Sequence, residues 1–381
     1  NNQRSVAYGD GVYRSRDGGK SWKKMGLENS EHIGMIKVDP RNSNVVYVAA
    51  YGPLWSEGGD RGLYKTEDGG ETWNKILEID QYTGVNEVHF DPRNPDVIYA
   101  TAHQRMRKVW TYVGGGPGSA MYKSTDGGKT FRKLTSGLPN GKMGRIGMVV
   151  SPVNPDVLFA IVEAENEAGG FFKSTDRGES WSKVNAYKTS GNYYQELYAD
   201  PVDVNKVFMM DTWAHVTYDG GKTIKKLGET NKHVDNHCMW IDPTNTDHYY
   251  MGCDGGMYET FDNAKNWQYF PNLPVTQFYK VVTDNNVPFY GVYGGTQDNF
   301  SLGGPSSTRK KSGIDNYDWY VTNEGDGFES ASDPENPNIV YAQAQYGWLV
   351  RYDKASGQKV PIQPQPEKGE PAYRWNWDAP L

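Results

Sequence analysis

Three features are scarce in this chain: cysteine, long hydrophobic stretches and an excess of positive charge. Two cysteines among 381 residues allow at most one disulfide. No stretch approaches the about 18 consecutive apolar residues of a membrane-spanning helix, so no membrane span is expected. The formal net charge of −7 argues against nucleic acid or an anionic membrane as the main partner. No secretory signal peptide is visible, and the first residues already lie inside a repeat.

The two cysteines, Cys238 and Cys253, fall in one repeat, on strands that should be adjacent and antiparallel. In one register they are nearly opposite and can form a disulfide. A slip of one residue places them on opposite faces of the sheet, which prevents pairing. Two free, buried thiols are the alternative.

Glycine-rich octapeptides, by contrast, recur along most of the chain. The first is Ser15–Trp22, and its central aspartate is Asp17. Copies with the same order of residue types occur at Thr66–Trp73, Ser124–Phe131 and Ser174–Trp181, and weaker ones at Thr217–Ile224 and Thr260–Trp267. A repeat of roughly 40–50 residues rich in short β patterns is typical of a propeller. We therefore predict an all-β fold, a propeller of four-stranded antiparallel blades, about seven or eight in number.

Each octapeptide has the chemistry of a tight turn. Glycine permits a positive φ, while the Ser or Thr hydroxyl and the Asp carboxylate can accept hydrogen bonds from turn amides. The closing aromatic residue is expected to fill the gap between neighbouring sheets. Six copies of one aspartate indicate a repeated structural role rather than catalysis.

A second motif, Asp39–Tyr47, runs in phase with the first. Its copies start at Asp91, Ser151, Asp200, Asp242 and Asp333, with a degenerate copy at Asp284. Asp-Pro-x-Asn favours a turn between the first and second strands of each blade. Antiparallel connectivity then places both repeated turns on one face and the longer loops on the opposite one, called here the loop face. Functional residues are expected on the loop face.

The chain begins and ends in mid-repeat. Ser5–Tyr8 and Val12–Ser15 read as second and third strands, and Arg374–Leu381 reads as a first strand. Either the last strand completes the first blade of a single propeller over residues 1–381, or the chain is a fragment of a longer protein with further propeller repeats. Gly303–Ser312 reads as a mobile loop.

The two phased motifs resemble those of the Asp-box (bacterial neuraminidase repeat) propellers. This group includes sialidases, xyloglucanases, sortilin-type receptors and a photosystem assembly factor. The chain is most similar to large secreted bacterial proteins labelled sortilin-like or glycosyl hydrolase. The residues that carry the closer resemblance are Gly9–Tyr13, His233–His237, Trp240–Pro243, Gly294–Asn299, Gly325–Phe328 and Arg374–Trp377.

The catalytic motifs of the enzymes in this group are not clearly present in the sequence. Sialidases need an early Phe/Tyr-Arg-Ile-Pro string, and the nearest match, Gly144–Gly147, lacks the proline and lies in the wrong repeat. Xyloglucanases use two aspartates across a cleft between two propellers, and no motif places such a pair here. The resemblance thus implies the fold more firmly than an activity.

His233, Asp235 and His237 form the first candidate site. In an extended strand, alternation would place all three side chains on one side. Two imidazoles and a carboxylate suit Zn²⁺ or a similar divalent metal. The alternative is a hydrogen-bonded cluster that needs no metal, and no other cofactor is expected.

Further candidates come from a long insertion and from the strand starts. The insertion Thr101–Ala120 contains His103 and Arg105 among aromatic residues, a mixture that suits sugar stacking, carboxylates or a protein epitope, or else a solvated loop. Alignment of the first strands on their Asp-Pro turns predicts a channel rim that includes Tyr193, Gln195, Tyr279 and Asp326.

The leading functional hypothesis is a secreted, periplasmic or cell-surface propeller that binds a protein or glycan ligand through its loop face. The second is a glycoside hydrolase that acts on a polysaccharide with a second propeller. A carboxylate pair at productive spacing in a cleft would distinguish it from a binding protein. A metal-dependent hydrolase at His233 is the third.

Overall fold

Strands account for nearly all regular structure in the protein. The computed structural model describes residues 8–273 and 275–381, where the helices are three short 3-10 turns, Glu165–Glu167, Asn316–Asp318 and Gln345–Gly347. No helix within those ranges combines the length and apolar character needed to cross a bilayer. The chain forms two compact units, one ending at Phe270 and the other beginning at Pro271. A single propeller over residues 1–381 stays a prediction.

Within its described residues, the first unit contains five four-stranded sheets and two two-stranded sheets, one of which precedes them and one of which is a hairpin inserted in the second. Each four-stranded sheet is called a blade and is numbered in chain order. The first two-stranded sheet is β1 (Tyr13–Arg14) and β2 (Lys23–Lys24). Blade 1 is β3 (Ile33–Val38), β4 (Val46–Ala50), β5 (Gly62–Thr66) and β6 (Asn74–Leu77). Blade 2 is β7 (Thr83–Asp91), β8 (Asn94–Gln104), β11 (Ala120–Ser124) and β12 (Arg132–Leu134), with a hairpin of β9 (Met106–Lys108) and β10 (Thr111–Val113) inserted. Blade 3 is β13 (Met143–Val150), β14 (Leu158–Ala164), β15 (Gly170–Ser174) and β16 (Ser182–Asn185). Blade 4 is β17 (Leu197–Ala199), β18 (Val207–Met209), β19 (His215–Thr217) and β20 (Lys225–Lys226). Blade 5 is β21 (Asn236–Ile241), β22 (Tyr249–Cys253), β23 (Gly256–Thr260) and β24 (Gln268–Tyr269).

The second unit contains two further blades in its described part. Blade 6 is β25 (Lys280–Thr283), β26 (Gly291–Gly295), β27 (Ser301–Pro305) and β28 (Tyr320–Asn323); blade 7 is β29 (Gly327–Ser332), β30 (Ile339–Ala344), β31 (Trp348–Asp353) and β32 (Lys359–Pro361). In all seven blades each strand pairs antiparallel with the next strand of the same blade along the chain. The predicted blade architecture is thus confirmed, and the number of blades in the complete ring stays a prediction.

The core of the first unit consists of apolar layers between successive blades. Between blades 2 and 3, Tyr99, Met121, Phe172 and Trp181 belong to one buried cluster, and equivalent clusters join blades 1 and 2, 3 and 4, and 4 and 5. Trp181, the closing residue of an octapeptide, is 4% exposed, as predicted. Trp22, its equivalent in the first copy, is 63% exposed and departs from that pattern.

The octapeptides form the predicted turns between third and fourth strands. In the third copy, the Ser124 hydroxyl donates to Asp126 Oδ1 at 2.7 Å, and the same oxygen accepts from the Thr130 amide at 3.0 Å. The Gly128 amide donates to Ser124 Oγ at 2.9 Å, with a φ of +88° at Gly128 that favours glycine. The corresponding bonds occur in the other five copies. The six aspartates therefore serve as acceptors for turn amides.

Acid should weaken these turns. Hydrogen bonds from the Asn266 side chain and amide hold the pKa of Asp262 at about 2, below the unfolded value of about 3.9. A lowered folded pKa gives stabilisation that is complete above pH about 4 and is lost as the pH falls through about 2. We expect Asp262→Ala to lower the melting temperature by a few degrees at pH 7 and by much less at pH 2.

Thermal melts of the wild type and Asp262→Ala at both pH values test this expectation. Lys265→Ala is the control, since it changes the same turn without removing the oxygen that accepts the Lys265 and Asn266 amides. An equal difference at both pH values would contradict the role assigned to the carboxylate.

The Asp-Pro turns link neighbouring blades through arginines. Arg41 Nη2 lies 2.7 Å from Asp39 in its own turn and 2.8 Å from Asp96 of blade 2. Arg93 repeats this one blade further on, 3.0 Å from Asp91 and 2.7 Å from Asp156 of blade 3. The face that carries both repeated turns thus joins neighbouring blades through ion pairs.

The C-terminal residues differ from the prediction. Arg374–Leu381 forms no strand, so that assignment is wrong. The Tyr346 amide instead donates to the Trp377 carbonyl at 3.1 Å, and the two rings pack edge to face at 5.0 Å. Aromatic packing against blade 7 therefore replaces strand pairing. Its predicted partner, Ser5–Tyr8, lies largely outside the described residues, whereas the neighbouring prediction at Val12–Ser15 is confirmed by β1.

Gly303–Ser312 also differs from the prediction. Gly303 and Gly304 belong to β27, which pairs on both sides within blade 6. A Cβ at Gly303 would lie 2.9 Å from the rings of Tyr293 and Tyr320, and one at Gly304 would lie 2.7 Å from Trp319. Glycine here makes room for aromatic rings across a strand, so the interpretation of these two residues as a loop is wrong.

Candidate functional site

The long insertion of blade 2 folds as a hairpin on the loop face. β8 continues to Gln104, and β9 and β10 then pair from Lys108–Thr111 to Met106–Val113. The tip residues Val109 and Trp110 are 88% and 81% exposed. The predicted insertion is present, but its first residues extend a strand and its tip presents an uncovered tryptophan.

Two other tryptophans stand in equivalent loops. Trp55 lies between the second and third strands of blade 1, and Trp213 between those of blade 4. They are 38% and 48% exposed, and the Lys226 ammonium lies 3.9 Å from the Trp213 ring centroid. All loops between second and third strands leave the blades on the loop face. The loop face of the first unit therefore carries three partly or fully exposed indole rings.

A buried polar cluster around Tyr51 lies at the base of the hairpin. Tyr51 is 2% exposed, and the Arg105 guanidinium carbon lies 4.0 Å from its ring centroid. The His103 ring packs edge-on to Tyr51 at 5.9 Å. Both predicted residues thus belong to one cluster, but they are 2% and 5% exposed and do not form an open rim.

His103 is neutral in this cluster. Its Nε2 lies 3.0 Å from the Gly114 carbonyl, which can only accept, so Nε2 carries the proton. Burial lowers the pKa of His103 to about 3, and the charges of Arg105 and Arg145 act in the same direction. Its Nδ1 is consequently a hydrogen-bond acceptor at neutral pH, and it is buried with no hydrogen-bond partner.

Arg145 connects blades 3 and 4 beside the cluster. Its Nη2 donates to Glu196 Oε1, and its backbone carbonyl accepts from Gln195 Nε2 at 3.0 Å. Gln195 is fully buried and also accepts from the Thr189 hydroxyl at 2.5 Å. Tyr193 contributes its carbonyl, 3.4 Å from Arg145 Nη1. Two residues of the predicted rim, Gln195 and Tyr193, therefore form hydrogen bonds with Arg145.

Glu163, at the end of β14, was missed by sequence reasoning. Its Oε2 accepts from the Arg145 amide at 3.4 Å, and burial raises the pKa of its carboxyl group. A Cβ at Gly144 or Gly191 would lie 2.2 or 2.3 Å from this oxygen. The two glycines leave room for the carboxylate, and they lie far apart in the sequence, so no local motif marks the site.

His233, Asp235 and His237 do not converge. Asp235 has a φ of +63°, so the extended conformation assumed for this segment is wrong. Asp235 accepts from the Tyr194 hydroxyl, and His237 Nε2 lies 2.9 Å from Asp254 Oδ1. His233 Nδ1 lies 2.8 Å from the Val234 carbonyl, and the interaction of its ring with Cys253 raises the pKa of His233 to about 9. These three side chains do not form a set with all donor atoms within 4.8 Å, so the structure does not support a shared metal there.

The neighbouring cysteines are free. A register shift between Asn236 and Cys238 places Cys253 opposite Asn236 and Cys238 opposite Gly252. Cys238 is exposed and Cys253 half-buried. The disulfide is therefore absent, and the alternative of free thiols is confirmed, although they are not fully buried.

Tyr279 and Asp326 belong to the second unit. The Tyr279 ring stacks on Phe328 at 5.0 Å, and its hydroxyl donates to Gln297 Oε1. The Asp326 amide donates to Gln345 Oε1 at 2.8 Å. Their part in ligand binding stays a prediction.

Comparison with known proteins supports the propeller type. The family model described as "Sortilin, neurotensin receptor 3" matches residues 10–114. Xyloglucanase Xgh74A of Acetivibrio thermocellus is 24% identical over 311 residues, covering 75% of this chain and 33% of that protein. A xyloglucanase of Paenibacillus sp is 29% identical over 146 residues, covering 35% of this chain and 13% of that protein. The chain thus spans about a third or less of these two relatives.

Solved structures agree at the level of the fold. The Niastella koreensis GH74 enzyme superposes with a TM-score of 0.57 at 17% identity, covering 93% of this chain and 63% of that one. An ancestral GH74 enzyme gives 0.54 at 17% identity, covering 96% and 52%. The protein has a β-propeller fold.

Proposed function

We propose that this chain is a glycan-binding β-propeller that holds a polysaccharide on the loop face of its first unit. The observation that carries the proposal is the set of exposed tryptophans in equivalent loops of the first unit, Trp55, Trp110 and Trp213. The named activity of the curated relatives, xyloglucanase, supports a glycan rather than a protein ligand.

Indole rings that stay in water cost free energy, because their apolar surface is not buried. Trp110 is 81% exposed at the tip of a two-stranded hairpin, so its apolar surface contributes little hydrophobic stabilisation to the fold. A sugar ring offers an apolar face of C–H groups and a rim of hydroxyls, so stacking on an indole removes water from both surfaces. Three such rings on one face suit an extended ligand better than a single small molecule.

Hydrolysis is a second candidate, and Glu163 favours it. Glycosidases pair a carboxyl group of raised pKa, the general acid, with an ionised carboxylate. Glu163 has the raised pKa, and Glu196, which pairs with Arg145, is the second carboxyl group. Both touch Arg145, one through its amide and the other through its guanidinium. A secreted, periplasmic or cell-surface location would follow from a polysaccharide substrate and is part of the proposal.

Trp110→Ala should weaken binding of soluble xyloglucan at least tenfold, because it removes the most exposed stacking surface. Isothermal titration calorimetry measures the change. Val109→Ala is the matched control, since it shortens an equally exposed apolar side chain at the same tip. Binding of xyloglucan that is unchanged in Trp110→Ala would overturn the proposed surface.

Release of reducing ends tests the hydrolytic candidate. If the chain hydrolyses xyloglucan, Glu163→Gln should abolish the release and leave affinity within about threefold, since it keeps the shape of the side chain. Release that persists in Glu163→Gln would exclude Glu163 as the acid.

A further inference from the structure

Arg105 is a buried guanidinium with no carboxylate partner among the described residues. It is 5% exposed, and neither its Nε nor its Nη2 has a hydrogen-bond partner. The nearby Glu196 is held by Arg145. Glu87, also close to Tyr51, accepts from the Met148 amide at 2.9 Å and from His89 at 3.0 Å. The carboxylates of the cluster are thus engaged elsewhere.

Burial of an unpaired charge opposes folding. Arginine keeps its charge at all ordinary pH values, so it cannot escape the cost by losing a proton. The Tyr51 ring at 4.0 Å offsets part of that cost through a cation–π contact, but it accepts none of the N–H groups. Arg145 is a second guanidinium close by, and its positive charge disfavours that of Arg105. An anion on Arg105 would relieve both effects.

The unpartnered N–H groups of Arg105 have a fixed geometry. The N–H groups of a guanidinium form a planar fork that matches the two oxygens of a carboxylate or a sulfate. His103, two residues earlier and on the same Tyr51 ring, adds the opposite function, because its Nδ1 can only accept. A ligand that fills both must carry an acid group and a hydroxyl.

We propose that Arg105 and His103 bind an acidic sugar residue of the glycan, with the acid group on the Arg105 fork and a hydroxyl donated to His103 Nδ1. The inference rests on the proposed glycan-binding function and specifies its ligand as a uronate or a sulfated sugar. A peptide carboxylate would fill the fork but brings no adjacent hydroxyl. Since Arg105 is 5% exposed, the ligand must displace part of the adjoining hairpin.

The experiment compares matched charged and neutral probes by calorimetry. The probes are trigalacturonate, its methyl ester, a sulfated galactan trisaccharide and a neutral xyloglucan oligosaccharide. We expect the wild type to bind trigalacturonate or the sulfated probe at least tenfold more tightly than the methyl ester. Which acid binds more tightly distinguishes uronate from sulfate. Arg105→Leu should bind the charged probes and the ester equally, and Lys108→Leu, which removes an exposed cation of the same hairpin, should keep the preference.

Thermal melting separates ligand binding from a structural task. Because Arg105 lacks an ionic partner, Arg105→Leu without ligand should melt at or above the wild-type temperature. A clearly lower melting temperature would mean that Arg105 serves packing and would overturn the assignment.

Each contrary binding result has its own meaning. Equal affinity of the wild type for the acid and its ester overturns this inference and leaves glycan binding intact. Failure of all four glycans overturns the proposed function as well. Tight binding of an acetylated tripeptide with a free carboxylate, without binding of the acidic sugars, would overturn the sugar assignment.

Discussion

Gly147→Ala should lower the melting temperature by roughly 6–12 °C, which corresponds to about 3 kcal/mol or more at the upper end of overpacking costs. Gly147 lies in β13, the first strand of blade 3, where a Cβ would come within 1.5 Å of the Gln195 carbonyl oxygen of the adjoining chain. This oxygen belongs to the backbone, so it cannot move away through a change of side-chain rotamer. The variant must therefore separate β13 from the segment that leads into blade 4.

Gln195 has little freedom to retreat. Its side chain is fully buried between the Arg145 carbonyl and the Thr189 hydroxyl, and its φ is +131°. Gly252→Ala is the control, because the nearest atom to its Cβ is the Sγ of the exposed Cys238, which can turn away. Thermal melts and urea midpoints of both variants provide the comparison. A loss no larger in Gly147→Ala than in Gly252→Ala would contradict the close approach.

Local chemistry explains why the blades could be predicted. The bonds to the Asp262 carboxylate all come from within eight consecutive residues, so the local sequence pattern predicts the turn directly. The Asp39 turn is similarly local, with the Arg41 amide on Asp39 Oδ1 at 2.9 Å. Repetition then fixes strand order, since consecutive antiparallel strands leave few other arrangements. Fold class and loop face follow from these two turns.

The site could not be predicted in the same way because its contacts are distant in sequence. Glu196 lies 51 residues from Arg145, and Glu163 lies 18 residues away on the neighbouring strand. His233–His237 failed for a different reason. Its predicted alternation assumed an extended backbone, whereas Asp235 has a φ of +63° and bonds to Tyr194, and His237 pairs with Asp254. A binary pattern carries no information about such a local reversal.

The second large effect concerns the ion pair of Arg145. Arg145→Met should destabilise the protein by about 3 kcal/mol, because it leaves the Glu196 carboxylate without its partner. The Arg145 side chain is 9% exposed and that of Glu196 is 24% exposed, so water can replace only part of the lost interaction. Urea denaturation of the purified variant measures the loss.

The pair can be tested independently of the packing of Arg145. Glu196→Gln in the Arg145→Met background removes the orphaned charge, so the double variant should regain stability relative to Arg145→Met alone. A double-mutant cycle with Glu196→Gln isolates that coupling. If the double variant is as unstable as the two single losses added together, the bond between Arg145 and Glu196 contributes no coupling. The stability of this region would then come from the contacts of Arg145 with Tyr193 and from its methylenes.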